Sequence, residues 1–323
     1  MFFNNKKTIL IIILFLVISI AGCGGFPGCG TTEKNSDKNA QENKEMPEEI
    51  MDMEVSVLKI MHQADLIPLV ELMSRQSGRE AGGQESGEGG GQGSGGGEQE
   101  AGGGGGQGQK QDIKLTFEKT ILGEVLKREM KAEGSNNEEI NKIPGNTEEI
   151  WNNIKTTVTG LHDQWNKLEP LVMQENIPSD TVNSLEEALE SLTLAITEHN
   201  YFDTLSFANE LTGYLSKISA PFAQNAIPAV NEQRYHVRNI LLSAANNNFE
   251  EARGSLNYIM EHSQAVTSSL KEREKKLDSL NMSIDNLRGA LDEENLGLIN
   301  IKAAIVMDEL VKIKDEIKNS AQG

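Results

Sequence analysis

The chain has 323 residues, with 49 acidic side chains against 30 basic ones and a net charge of −19. So strong an anion is repelled by nucleic-acid phosphates and by anionic lipid headgroups, which argues against either as a binding partner. Two cysteines in this length exclude a disulfide framework and a cysteine-rich metal knuckle.

The amino terminus carries Lys6 and Lys7 and no acid, followed by an apolar run from Ile9 to Ile18. That is the layout of a secretory signal peptide over residues 1–22. As a helix, Thr8 to Ala21 would span about 20 Å against the ~30 Å core of a bilayer, which disfavours a permanent membrane span. The run ends Ile20-Ala21-Gly22-Cys23, which resembles the lipobox of bacterial lipoproteins. The resemblance covers residues 1–23 only. It implies that Cys23 is acylated through its sulfur, that the bond after Gly22 is cut, and that the mature chain is lipid-anchored in the cell membrane, facing outside the cytoplasm. Two acyl chains hold stably where one is marginal, since each buried methylene contributes about 0.8 kcal/mol. Cleavage removes two lysines and no acid, leaving 28 basic against 49 acidic residues and a charge of −21. Cys29 then stands alone and is expected to be an exposed thiol.

Residues 23–45 comprise the lipidated cysteine and a polar, glycine-containing tether too poor in apolar residues to fold. An amphipathic helix is predicted over 46–76: Pro47 suits a first position, Glu48 and Glu49 suit the positive helix end, and Ile50, Met53, Val57, Ile60, Ala64 and Ile67 recur at helical spacing. Pro68 should end or kink it. Residues 77–110 read as a flexible glycine-rich linker, without the strand and helix that flank a phosphate-cradling loop. A second amphipathic helix is predicted over 111–133, with Phe117, Ile121 and Val125 on one face.

An ordered body is predicted over 146–319. Asn146 with Glu149 has capping-box spacing, and Trp151, Ile154, Val158, Leu161, Trp165 and Leu168 follow at intervals of three and four until Pro170 and Pro178. Leu185 to Ile196, Leu205 to Ile218 and a helix opened by Pro228 come next. From Phe249 to Leu291 the spacing runs unbroken, as one helix of about 65 Å or two helices parted at the charged run Lys271–Lys276. A last helix runs from Leu296 to Lys318. No segment alternates as a strand does, so the fold class is all-α, an antiparallel helical bundle. A shift of 95 residues superposes Val182–Ile218 on Leu277–Ile313, with Leu185, Leu192, Ala195, Asn200, Ala208 and Leu215 among the identities. This points to duplicated helical units, with Asn200 and Asn295 expected at left-handed turn positions.

The five histidines, His62, His162, His199, His236 and His262, form no zinc-protease, di-iron or covalent-haem motif. No catalytic arrangement stands out, and no cofactor is indicated. The functional expectation is a noncatalytic interaction or scaffold module whose partner is another envelope protein. The exposed ends of the 249–291 pattern are the expected docking surface, with Leu270 and Leu277, flanking the charged run, as the expected pair. The alternative is a surface bundle that binds a small ligand, metal or haem.

Overall fold

The computed structural model describes residues 46–81 and 120–321 except Ser269. The signal peptide, Cys23, Cys29, the tether, Phe117 and the linker from 82 to 110 lie outside the described residues.

Helix α1 (Glu48–Asp65) is followed by α2 (Ile67–Ala81), with the break at Leu66 just before Pro68. The helix continues through Ala81, five residues into the stretch read as linker. Then come α3 (Gly123–Ala132), the short α4 (Asn137–Asn141) and α5 (Thr147–Val172). Asn146 caps α5 by accepting from the Glu149 amide at 2.9 Å, while Glu149 reaches back to the Gly145 amide at 3.1 Å. Pro170 lies inside the last turn of α5, which runs two residues past it before stopping. Helices α6 (Ser179–Thr197), α7 (Tyr201–Ser219), α8 (Ile227–Ala245), α9 (Phe249–Thr267), α10 (Arg273–Asp292) and α11 (Leu296–Ala321) complete the fold. No strand occurs among the described residues, and none of their helices is long and apolar enough to cross a membrane.

Packing arranges these helices as two rings of four. Helix α1 packs on α5 and α7, and α6 on the same two, closing the first ring; α8 and α10 each pack on α9 and α11, closing the second. The rings meet where α7 lies on α8, and α3 spans them by packing on both α1 and α11. The bundle therefore includes the early helices and does not begin at residue 146. The reason is burial: Ile50, Met53, Val57, Leu58, Ile60, Met61 and Ala64 of α1 and Val125, Leu126 and Met130 of α3 all enter the shared core. Each such large side chain contributes about 1.5–3 kcal/mol before entropy, and α5 to α7 alone would leave an open groove.

The pattern from 249 to 291 is two helices. Its three-and-four spacing persists across a loop because Leu270 reaches the core from the loop itself, 7% exposed, while Arg273 points to solvent. The Leu270 amide bonds the Thr267 carbonyl at 3.1 Å, tightening the exit from α9. Folding back packs α10 on α9, whereas a single rod would strand half its apolar face in water.

Three helix hairpins share one turn. His199, Asn247 and Glu294 have φ of 57°, 59° and 52°, and the next residues, Asn200, Asn248 and Asn295, cap α7, α9 and α11. In each, the asparagine amide reaches back to close the preceding helix, bonding the carbonyls of Ala195, Ser243 and Ala290 at 2.9, 2.8 and 3.4 Å. Thus the left-handed residue precedes Asn200 and Asn295, which have negative or capping geometry and use their side-chain oxygens on Asp203 and Leu298. The 95-residue offset maps His199 onto Glu294, so the turns repeat with the sequence.

Candidate functional site

Where the two rings meet, three like-charged pairs spaced four apart converge: Glu129 of α3 with Glu133 at its C-cap, Arg234 and Arg238 of α8, Lys314 and Lys318 of α11, with Glu54 of α1. Glu129, fully buried, accepts from Arg234 Nε at 2.8 Å and from Arg238 Nη1. Arg234 also reaches Glu54 at 2.9 Å and Glu133 at 3.0 Å, and Lys314 reaches Glu133 at 2.6 Å. Arg238 turns its other nitrogens to Asn209 and Thr212 of α7 at 2.8 and 2.7 Å. Burial pushes the Glu133 carboxyl up, but Lys314, Arg234 and Lys318 together outweigh it and hold it at about 2. Burial alone would lower Arg234; the carboxylates of Glu129, Glu54 and Glu133 keep it charged. Nearby, Asp65 caps α3, accepting from the Ile121 and Leu122 amides at 2.8 and 2.9 Å, and its burial raises it to about 7. Every charge here has a protein partner, so the junction is a clasp between the rings.

The second polar assembly opens to solvent. Glu210, Gly213, Tyr214 and Lys217 stand at i, i+3, i+4 and i+7 on one face of α7. Glu232, Tyr235 and His236 repeat the first three places on α8, and Tyr258 faces them from α9. Together they line a cleft of about 270 Å³. Three of the four tyrosines of the chain are in it. His236 stacks on Tyr258 with ring centroids 4.0 Å apart, Tyr258 stacks on His262 at 4.0 Å, and Tyr235 meets His236 edge-on at 4.7 Å. Gly213 makes this possible, because a Cβ there would stand 3.2 Å from the Tyr235 ring. Lys217 lies over the Tyr214 ring at 5.7 Å.

The cleft has distinctive electrostatics. Burial, with the charges of Lys217 and His262, lowers His236 to about 4, so its imidazole is neutral at pH 7. Burial and the Glu210 charge push Tyr235 up to about 12; burial and a hydrogen bond to Glu232 raise Tyr258 as well. Burial and neighbouring Glu251 raise Glu210. His236 Nδ1 is buried and has no hydrogen-bond partner.

No known protein family matches this chain, and no curated protein or solved structure is significantly similar to it. Function must be read from its own residues.

Of the residues singled out by sequence, Cys23 lies outside the described residues. Leu270 belongs to the core and Leu277 is half-buried, so the pair is not the exposed docking face that was expected. The histidines are dispersed: His162 bonds Thr193 Oγ1 at 2.9 Å, and His199 stacks on Trp151 at 4.8 Å. Only His236 and His262 come together, and among the described residues no three histidine, cysteine or carboxylate side chains cluster as metal ligands. Met53 and Met61 are buried packing residues. Tyr214, Tyr258 and Gly213 were not anticipated; their signal was the i, i+3, i+4 recurrence of Glu, Tyr and His beside the apolar stripe.

Proposed function

We propose that the chain is a lipid-anchored envelope protein whose helical body is a noncatalytic binding module, with the tyrosine–histidine cleft as the site for a small ligand. The convergence of Tyr214, Tyr235, Tyr258 and His236 from three helices, around a glycine that admits the Tyr235 ring, carries this reading. A concave site with aromatic walls and a few directed polar groups is the usual form of a small-molecule pocket. Binding is favoured over catalysis because burial moves His236 down to about 4 and Tyr235 up to about 12, both away from neutrality. The clasp between the rings supports the reading by fixing α7 against α8, two of the cleft walls.

A thermal-shift panel tests the site, using the full-length chain in detergent with a diamine, a sugar, a carboxylic acid and a nucleoside at millimolar concentration. At least one compound should raise the Tm of the native chain and fail to raise that of Tyr258→Ala. No shift with any class, or equal shifts in both proteins, would remove the cleft as the functional surface. The anchor rests on Ile20-Ala21-Gly22-Cys23 and is tested separately. Cys23→Ala should abolish incorporation of a fatty-acid probe; label persisting on that variant would refute lipidation.

A further inference from the structure

Resting on the reading of the cleft as a binding site, we infer that its ligand is a small organic cation with primary ammonium groups, of the class of short aliphatic diamines. The charge of the lining is the first ground. Glu210 on one wall and Glu232 on the other face a cleft whose lone lining cation, Lys217, is exposed and already lies over the Tyr214 ring. Burial raises the Glu210 carboxyl, and Glu251 adds negative charge beside it that raises it further. A bound cation would relieve that repulsion, whereas a bound anion would add to it.

The hydrogen-bonding supply points the same way. An ammonium group has three donors and no acceptor, so it needs a site rich in acceptors. Carboxylate oxygens of Glu210 and Glu232 accept only. His236 is neutral and adds no positive charge to the lining. The methylene stem between two ammonium groups suits the apolar edges of the tyrosine rings that line the cleft. Size agrees too: a cleft of about 270 Å³ has room for a short diamine. Two carboxylates on opposite walls favour a ligand charged at both ends over a monoamine.

Isothermal titration of the full-length chain in detergent with putrescine, at physiological ionic strength, tests the inference. One saturable site is expected, weakened at least tenfold in the double variant Glu210→Gln/Glu232→Gln and unchanged in Asp278→Asn, an exposed acid on α10. Circular dichroism of both variants controls for folding. Equal binding to the double variant would mean diffuse attraction to an acidic surface and would overturn the inference. Absence of a saturable site would overturn it as well. Glucose, titrated in parallel, separates the two levels. Glucose binding that is lost in Tyr258→Ala, with putrescine inert, would refute the cation and leave the cleft standing. If the whole small-molecule panel is inert, the cleft reading falls too.

Discussion

Truncating Glu129 to alanine should be among the most damaging single changes in the molecule. The junction contains three carboxylates, Glu54, Glu129 and Glu133, against four cations, Arg234, Arg238, Lys314 and Lys318. Removing Glu129 leaves two cations in excess, and it strips Arg238, 2% exposed, of its anionic partner, with only Asn209 and Thr212 remaining. Breaking a buried pair in this way costs about 3–5 kcal/mol, against a total stability of roughly 5–15 kcal/mol for a domain. Arg234→Met instead leaves three carboxylates and three cations, keeps Glu129 on Arg238 and Glu133 on Lys314, and fills the space with an apolar side chain. It should cost clearly less, since apolar replacement of a buried ion is often close to neutral. Urea unfolding followed by circular dichroism gives both values. A loss below about 1 kcal/mol for Glu129→Ala, or a larger loss for Arg234→Met, would refute the charge-balance reasoning.

Gly213→Ala should destabilise by about 1–3 kcal/mol, because the new methyl overpacks against the Tyr235 ring; it should also weaken ligand binding, and unchanged urea midpoint and affinity would contradict this. Glu294→Gly should raise Tm, since it relieves a left-handed residue at a cost of about 1–2 kcal/mol and gives up only an exposed pair with Arg253. Asp65 is raised in the fold to about 7, so the native state binds its proton more tightly than the unfolded chain does. Its contribution is fully present below about pH 4 and is lost as pH rises through about 7. Asp65→Asn should flatten the fall in urea stability between pH 4 and 8; an unchanged slope would assign that fall to other groups.

Much of the fold was legible because helix faces obey one rule. The stripes Trp151–Leu168, Leu185–Ile196 and Leu205–Ile218 are buried as their spacing requires. What escaped lay where that rule is silent. The break between α9 and α10 keeps the heptad rhythm, because Leu270 packs into the core from outside either helix as it would from within one. Membership of α1 in the first ring depends on contacts with α5 and α7, far away in sequence. Nothing in the apolar spacing marks the charges of the clasp. Yet like charges four apart, as in Glu129/Glu133, Arg234/Arg238 and Lys314/Lys318, repel on an isolated helix, and that local conflict was a sign of partners elsewhere. The cleft hid for a related reason: Tyr214, Tyr235 and Tyr258 each look like boundary residues until α7, α8 and α9 are brought together, and Gly213 has no side chain to draw notice.

The tyrosines themselves report most directly on whether the cleft is the binding surface. With ring-carbon-labelled tyrosine, four side chains give resolvable NMR signals, and Tyr201, at the start of α7 beside Phe202, is not part of the cleft. Titration with putrescine should move Tyr214, Tyr235 and Tyr258 along one saturation curve and leave Tyr201 in place. Equal movement of Tyr201, or no movement of the other three at saturating ligand, would contradict the assignment of this cleft as the site.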